Sequence, residues 1–188
     1  MRLRLGVGLL AATLCAATSA LAQDACPEQR LASPDGPGVR VGKDCLREEG
    51  SFRGGALWGQ GKVTAPSGIV SEGQFLNGRL FGPGKVTRPD KRWHEGWFHD
   101  GGASGPGTYR DEWGILWNGM FYKGYLHGVG VLTFPNGGQL MGEFRSTIGG
   151  LGPMTAIYPD GKEETGEYRD LRQKLLYFKP AAGAPAKK

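Results

Sequence analysis

From residue 50 onward a large aromatic side chain returns on a fixed beat, with Phe52, Phe75, Phe98 and Phe121 each followed 23 residues later by the next, then Phe144 and, 24 residues on, Tyr168. Each aromatic stands two residues after a glycine: Gly50, Gly73, Gly96, Gly119, Gly142 and Gly166. Between the aromatics the apolar and small residues alternate with a period of two, the period of a strand rather than a helix. Ser71, Gly73 and Phe75 therefore share one face of a first strand, and Gly82, Gly84 and Val86 one face of the next. Asn77-Gly78 between them is a strong two-residue hairpin signal. The same pattern returns with Gly105 and Gly107 in the third unit and with Gly128 and Gly130 in the fourth.

A period of this length predicts a tandem array of β-hairpins, an all-β elongated sheet. The aromatic beat excludes a flexible linker, although 46 of 188 residues are Gly or Pro, because a disordered tract has no reason to space its rings evenly. Pro66, Pro89, Pro135 and Pro159 fall between units, some followed by turn pairs such as Asn136-Gly137 and Asp160-Gly161. Glycines on the ring side predict that each phenylalanine lies flat over Cβ-less backbone, a cover that lets weak glycine strands persist. The fifth unit carries one inserted residue and has Thr147 and Met154 where glycines are expected.

The strings EGQFLNGRLFGPGKV (72–86), EGWFHDGGASGPGTY (95–109) and NGMFYKGYLHGVGVL (118–132) closely resemble the MORN repeat family, with GSFRGGALWGQGKV (50–63) matching equally well. The resemblance covers Gly50 to about Asp170. The opening tyrosine of the family pattern is replaced by Ser71, His94 and Trp117. The resemblance implies a twisted sheet of stacked hairpins used as a scaffold, with membrane or lipid association in some relatives.

Residues 1–22 read as a secretory signal: Arg2 and Arg4, an apolar run from Leu5 to Ala17, and Ala20-Leu21-Ala22 as a small-x-small cleavage site. The style of this segment predicts a bacterial protein exported to the periplasm or medium. In that oxidising setting the two remaining cysteines, Cys26 and Cys45, are expected to form one disulfide, stapling residues 23–49 into a loop-rich cap. Residues 50–170 form the repeat domain. Within 171–188, a short helix from Leu171 to Phe178 is expected to cap the far end, followed by a disordered tail.

Charge separates few function classes. The net charge of +5 falls to +3 once Arg2 and Arg4 leave, and basic residues are interleaved with acidic ones, which argues against nucleic acid. Lys85 in GPGKVT is followed directly by Val86 rather than the Ser or Thr of a phosphate-binding loop, and Leu80 stands where that loop needs a glycine. Of the three histidines, His94 and His99 point to opposite faces, and only His99, Asp100 and His127 form a conceivable weak metal set. No catalytic constellation stands out, so neither enzyme activity, nor a cofactor, nor a metal is expected. Trp93, Trp97 and Tyr122 fall on the face opposite the phenylalanines and form a candidate binding strip for an envelope protein or cell-wall component. Trp117 falls on the core side. Self-association through a sheet end and contact with an anionic lipid surface through Lys62, Lys85 and Arg110 are the further partner expectations.

Overall fold

The computed structural model describes residues 35–42, 44–145 and 153–167. They form twelve strands: β1 (Gly36–Val41), β2 (Arg47–Arg53), β3 (Ala56–Thr64), β4 (Val70–Leu76), β5 (Arg79–Thr87), β6 (Trp93–His99), β7 (Gly102–Arg110), β8 (Leu116–Tyr122), β9 (Tyr125–Thr133), β10 (Gln139–Arg145), β11 (Pro153–Ile157) and β12 (Glu163–Glu167). All twelve lie in sequence order in one unclosed antiparallel sheet. This is the all-β stack of hairpins that the periodicity predicts. One difference lies at its start: Gly36–Val41, inside the segment expected to be loop-rich, pairs along its whole length with β2 and continues the ladder. The expected signal segment, Cys26, Tyr168, the helix at 171–178 and the tail lie outside the described residues.

Two kinds of turn close the hairpins. On one edge, two-residue turns at Gly54-Gly55, Asn77-Gly78, Asp100-Gly101 and Lys123-Gly124 all have positive φ at both positions. That geometry matches the twist of the flanking strands. These turns also join one unit to the next, because the amides of Gly78, Gly101 and Gly124 donate at 2.9 Å to the carbonyls of Leu57, Leu80 and Ala103. On the other edge the wider turns repeat one set of backbone bonds, such as Ala65 N to Ile69 O and Arg88 N to Arg92 O, both 2.8 Å. There Asp90, Asn136 and Asp160 each accept the backbone N–H two residues on.

The strand register explains the glycines. Gly38, Gly50, Gly61, Gly73, Gly84, Gly96, Gly107, Gly119, Gly130 and Gly142 pair successively across ten strands, forming an unbroken row over the sheet. A Cβ on Gly73 would lie 2.5 Å from the Gly84 Cα and 2.6 Å from the Pro83 carbonyl oxygen, closer than real contacts permit. In the four hairpins β2/β3, β4/β5, β6/β7 and β8/β9 the second strand bulges beside the glycine pair: from Gly73↔Gly84 to Phe75↔Leu80, β4 advances two residues while β5 advances four. The bulge carries Gly82 at φ +85° and bends the strand toward the row.

That bend corrects the expected cover of the row. The nearest side chains above the ladder glycines are leucines, not phenyl rings: Leu57 over Gly50 and Gly61, Leu80 over Gly73 and Gly84, and Leu126 over Gly119 and Gly130. A phenyl ring comes close at Gly84 alone among these, where Phe98 Cδ2 is 3.5 Å from the Cβ position. Phe52, Phe75, Phe98, Phe121 and Phe144 instead stand in the rows beside the leucines, all buried. Met154 takes the ladder position next to Gly142, where a glycine was expected, and its own side chain lies against that glycine. Each buried Leu or Phe removes enough apolar surface from water to contribute about 2 kcal/mol. The core sits on this one face, and its side chains lean toward one another across the strands between them. The His94 ring in β6 meets the Phe121 ring in β8 at 4.5 Å between centroids, less than half the span of two flat strand spacings.

Candidate functional site

The outer face, opposite the core, divides into a charged part and an apolar part. Next to the glycine row runs Glu49, Lys62, Glu72, Lys85, Glu95, Thr108 and Asn118, each the cross-strand neighbour of the last. Lys62 pairs with Glu72 and Lys85 with Glu95, both at 2.9 Å, and Asn118 donates to the Thr108 hydroxyl at 2.8 Å. The bond and charge of Glu72 push the Lys62 ammonium up from its ordinary value. Lys85 thus lies within a strand, its charge answered in place, and the loop-like GPGKVT string is part of the sheet. Arg110, the third member of the expected basic set, donates to the Lys91 carbonyl at 3.1 Å.

One row further toward the two-residue turns the face becomes apolar. Trp97, Met120 and Val129 are 51%, 52% and 78% exposed, and Phe81, Tyr122 and Tyr125 are exposed around them. Pro83 faces Trp97 across the ladder and Pro106 faces Met120, so flat or rigid groups fill the positions between the exposed ones. The Trp97 Cβ packs 3.0 Å from where a Gly105 Cβ would stand, which holds the indole against the bulge. Of the residues singled out from the sequence, Trp97 and Tyr122 are exposed on this face, together with Met120 and Val129. Trp93 is set apart: it is half-buried and lies under Lys85, whose Nζ is 5.0 Å from its ring. Met120 and Val129 were legible in the alternation, being neighbours of Phe121 and Gly130, but no aromatic marked them.

The histidines separate as alternation predicts. His99 packs on Phe81 at 5.3 Å, and Asp100 is ion-paired with Arg79, whose guanidinium holds that carboxyl below its usual range. No group of three or more metal-ligating side chains comes together among the described residues. His94 faces the core. In its unit Ala103 stands where the others carry Leu57, Leu80 and Leu126, and the imidazole fills the space so left: Nε2 lies 3.0 Å from the Cβ position of Gly107. Phe98 and Phe121 meet this ring edge-on at 5.2 and 4.5 Å. Nε2 has no hydrogen-bond partner, and burial pushes the imidazole down to about 4.

A second buried polar group was not foreseen. Asp111 opens the wide turn between β7 and β8, where Glu112 replaces the proline seen at the same place in the other four turns. Its Oδ1 accepts the backbone N–H groups of Trp113 and Ile115 at 3.0 and 2.9 Å, and its Oδ2 accepts the Trp117 indole N–H at 2.8 Å. Trp117 is half-buried against the core, as its side of the strand predicts. The missing proline was the available signal.

The MORN repeat family model matches residues 49–70, 72–91 and 117–139. The interval 92–116 holds the unit with His94 and Ala103. No curated protein matches the chain. MORN repeats serve in general as protein- or membrane-interaction modules. With hairpins of 23 residues, the same spacing of glycine and aromatic repeated from one to the next, and three family matches along one continuous sheet, the chain is a MORN repeat protein.

Proposed function

We propose that this protein is a non-catalytic interaction scaffold of the bacterial cell envelope, which docks a protein partner on the apolar strip of its outer face. The carrying observation is the group Trp97, Met120 and Val129, exposed on β6, β8 and β9 with Pro106 of β7 between the first two, on a sheet whose opposite face already holds the core. Aromatic residues and methionine are enriched at protein interfaces, and a tryptophan held by a rigid ladder loses little entropy on binding. The charged row beside the strip supplies a polar rim.

Export to the periplasm or medium is part of the same reading and rests on residues 1–22. The test is a crosslinking pull-down from envelope extract with the parent and a Trp97→Ala/Met120→Ser variant, alongside light scattering of each. Loss of a specific protein band in a variant that stays folded supports the reading, and so does loss of a concentration-dependent dimer if the partner is a second copy. Identical captures and masses overturn it. The lipid reading draws on Lys62 and Lys85, which are already ion-paired, so salt-sensitive pelleting of the parent with anionic vesicles is the result that would restore it.

A further inference from the structure

The core-bearing face contains a cavity of about 210 Å³ over the fourth unit, and five rings contribute to its walls: Tyr109, Trp113, Trp117, Phe121 and Phe144. Its polar lining is unbalanced. Asp111 and Glu112 both border it, and Glu112 is exposed with no ion-pair partner among the described residues. The one cationic side chain in the lining, Arg92, is ion-paired with Asp90, its Nε and Nη2 donating to the same carboxylate oxygen at 2.8 and 2.6 Å, and also lies against Tyr109, so the two lining carboxylates outnumber it. The cavity therefore carries excess negative charge inside aromatic walls, in a chain whose net charge is positive.

From this arrangement we infer that the cavity is a binding site for an organic cation, a methylated ammonium group of the choline type. Ring faces attract such a cation through their quadrupoles, and its methyl groups prefer aromatic surface to water. Trp117 is suited to this part. Its indole N–H is held by the Asp111 carboxylate, which fixes the ring plane and polarises the indole toward greater electron density. Trp117 and Phe144 meet at 59° with centroids 6.4 Å apart, so two walls of the cavity stand at an angle rather than in one plane. Trp113, 65% exposed on the wide turn, forms the outer wall, and Glu112 beside it places a carboxylate at the mouth. This site lies on the opposite face from the apolar strip and does not depend on it.

The test is titration of the full chain with choline chloride, followed by tryptophan fluorescence and calorimetry, with 3,3-dimethylbutan-1-ol as the uncharged counterpart of the same shape. Saturable choline binding is expected, with the alcohol at least about fivefold weaker, the ratio that ~1 kcal/mol of cation–π attraction gives. Trp113→Ala and Glu112→Gln change exposed side chains, so both are expected to fold, and each should weaken choline by about the same factor. Pelleting with phosphatidylcholine vesicles would assign the ammonium to a lipid headgroup, and binding of free choline alone would assign it to a soluble ligand. No saturable binding of choline, equal binding of the alcohol, or full binding by both variants overturns the inference.

Discussion

Protonating His94 is expected to loosen the sheet in mild acid. The imidazole is 9% exposed, wedged over Gly107 between the edges of two phenyl rings, with Val86 and Tyr109 as its cross-strand neighbours and no acceptor for a second N–H. Burial alone lowers its folded value from 6.5 to about 4. Above pH 6.5 the ring is neutral in the folded and unfolded chains alike and titration has no effect on stability. Below 6.5 the unfolded chain takes up a proton that the folded chain refuses, so stability falls with pH until the folded ring titrates near 4. At ~1.4 kcal/mol per unit the loss is about 2 kcal/mol at pH 5 and about 3 kcal/mol at pH 4. Urea unfolding of the parent and His94→Leu at pH 7, 6 and 5 reads this directly, since every other titrating group is common to both. Leucine fills a similar volume and restores the residue type that covers the glycine row in the neighbouring units. The variant's advantage should grow by about 2 kcal/mol between pH 7 and pH 5. Parallel stability curves, or a His94 ring resonance titrating near 6.5 in the folded protein, would refute the reasoning.

Other outcomes follow from the same contacts. Asp111→Ala removes the buried acceptor of three N–H groups at the wide turn and is expected to cost about 2–4 kcal/mol in urea unfolding, with a shifted Trp117 emission. Leu80→Ala uncovers Gly73 and Gly84 and should cost a similar ~2–4 kcal/mol. Trp97→Ala and Met120→Ser, on the outer face, should change stability by less than about 0.5 kcal/mol, so that any loss of partner binding is a surface effect. If Cys26 and Cys45 are joined as the exported reading holds, neither should react with a thiol reagent before reduction, and reduction should remove roughly 3 kcal/mol of stability.

Much of the fold was legible because a two-residue alternation and a fixed repeat are local properties. The strands around Gly73 and Gly84, the Asn77-Gly78 turn and the sides taken by Phe98, Trp97, Trp117 and Tyr122 all follow from counting residues. What covers the glycines was not legible, because it depends on the bulge at Gly82: the extra residues in β5 bring Leu80 over the row and move the phenyl ring beside it. A strict alternation has no term for that bend. β1 was hidden by its composition, since Pro37 and two glycines read as loop, yet Gly38 is the first member of the glycine row. The exchange between His94 and Ala103 was hidden for another reason, as the two residues belong to neighbouring strands and the imidazole reaches over a third position, Gly107. Of the candidate strip, exposure followed the alternation at Trp97 and Tyr122, whereas Trp93 lies under a lysine from the adjacent strand.

Gly84→Ala tests the glycine row most directly. Gly84 does not have positive φ, so an alanine there meets no backbone strain, and in an ordinary strand the exchange stabilises by about 0.5–1 kcal/mol. Here the new methyl would stand 2.8 Å from Leu80 Cδ2 and 2.9 Å from the Glu72 carbonyl oxygen. Equilibrium unfolding should show a loss of about 1–3 kcal/mol from overpacking. An unchanged or raised midpoint would contradict the claim that a bare backbone row, roofed by leucine, holds this sheet together.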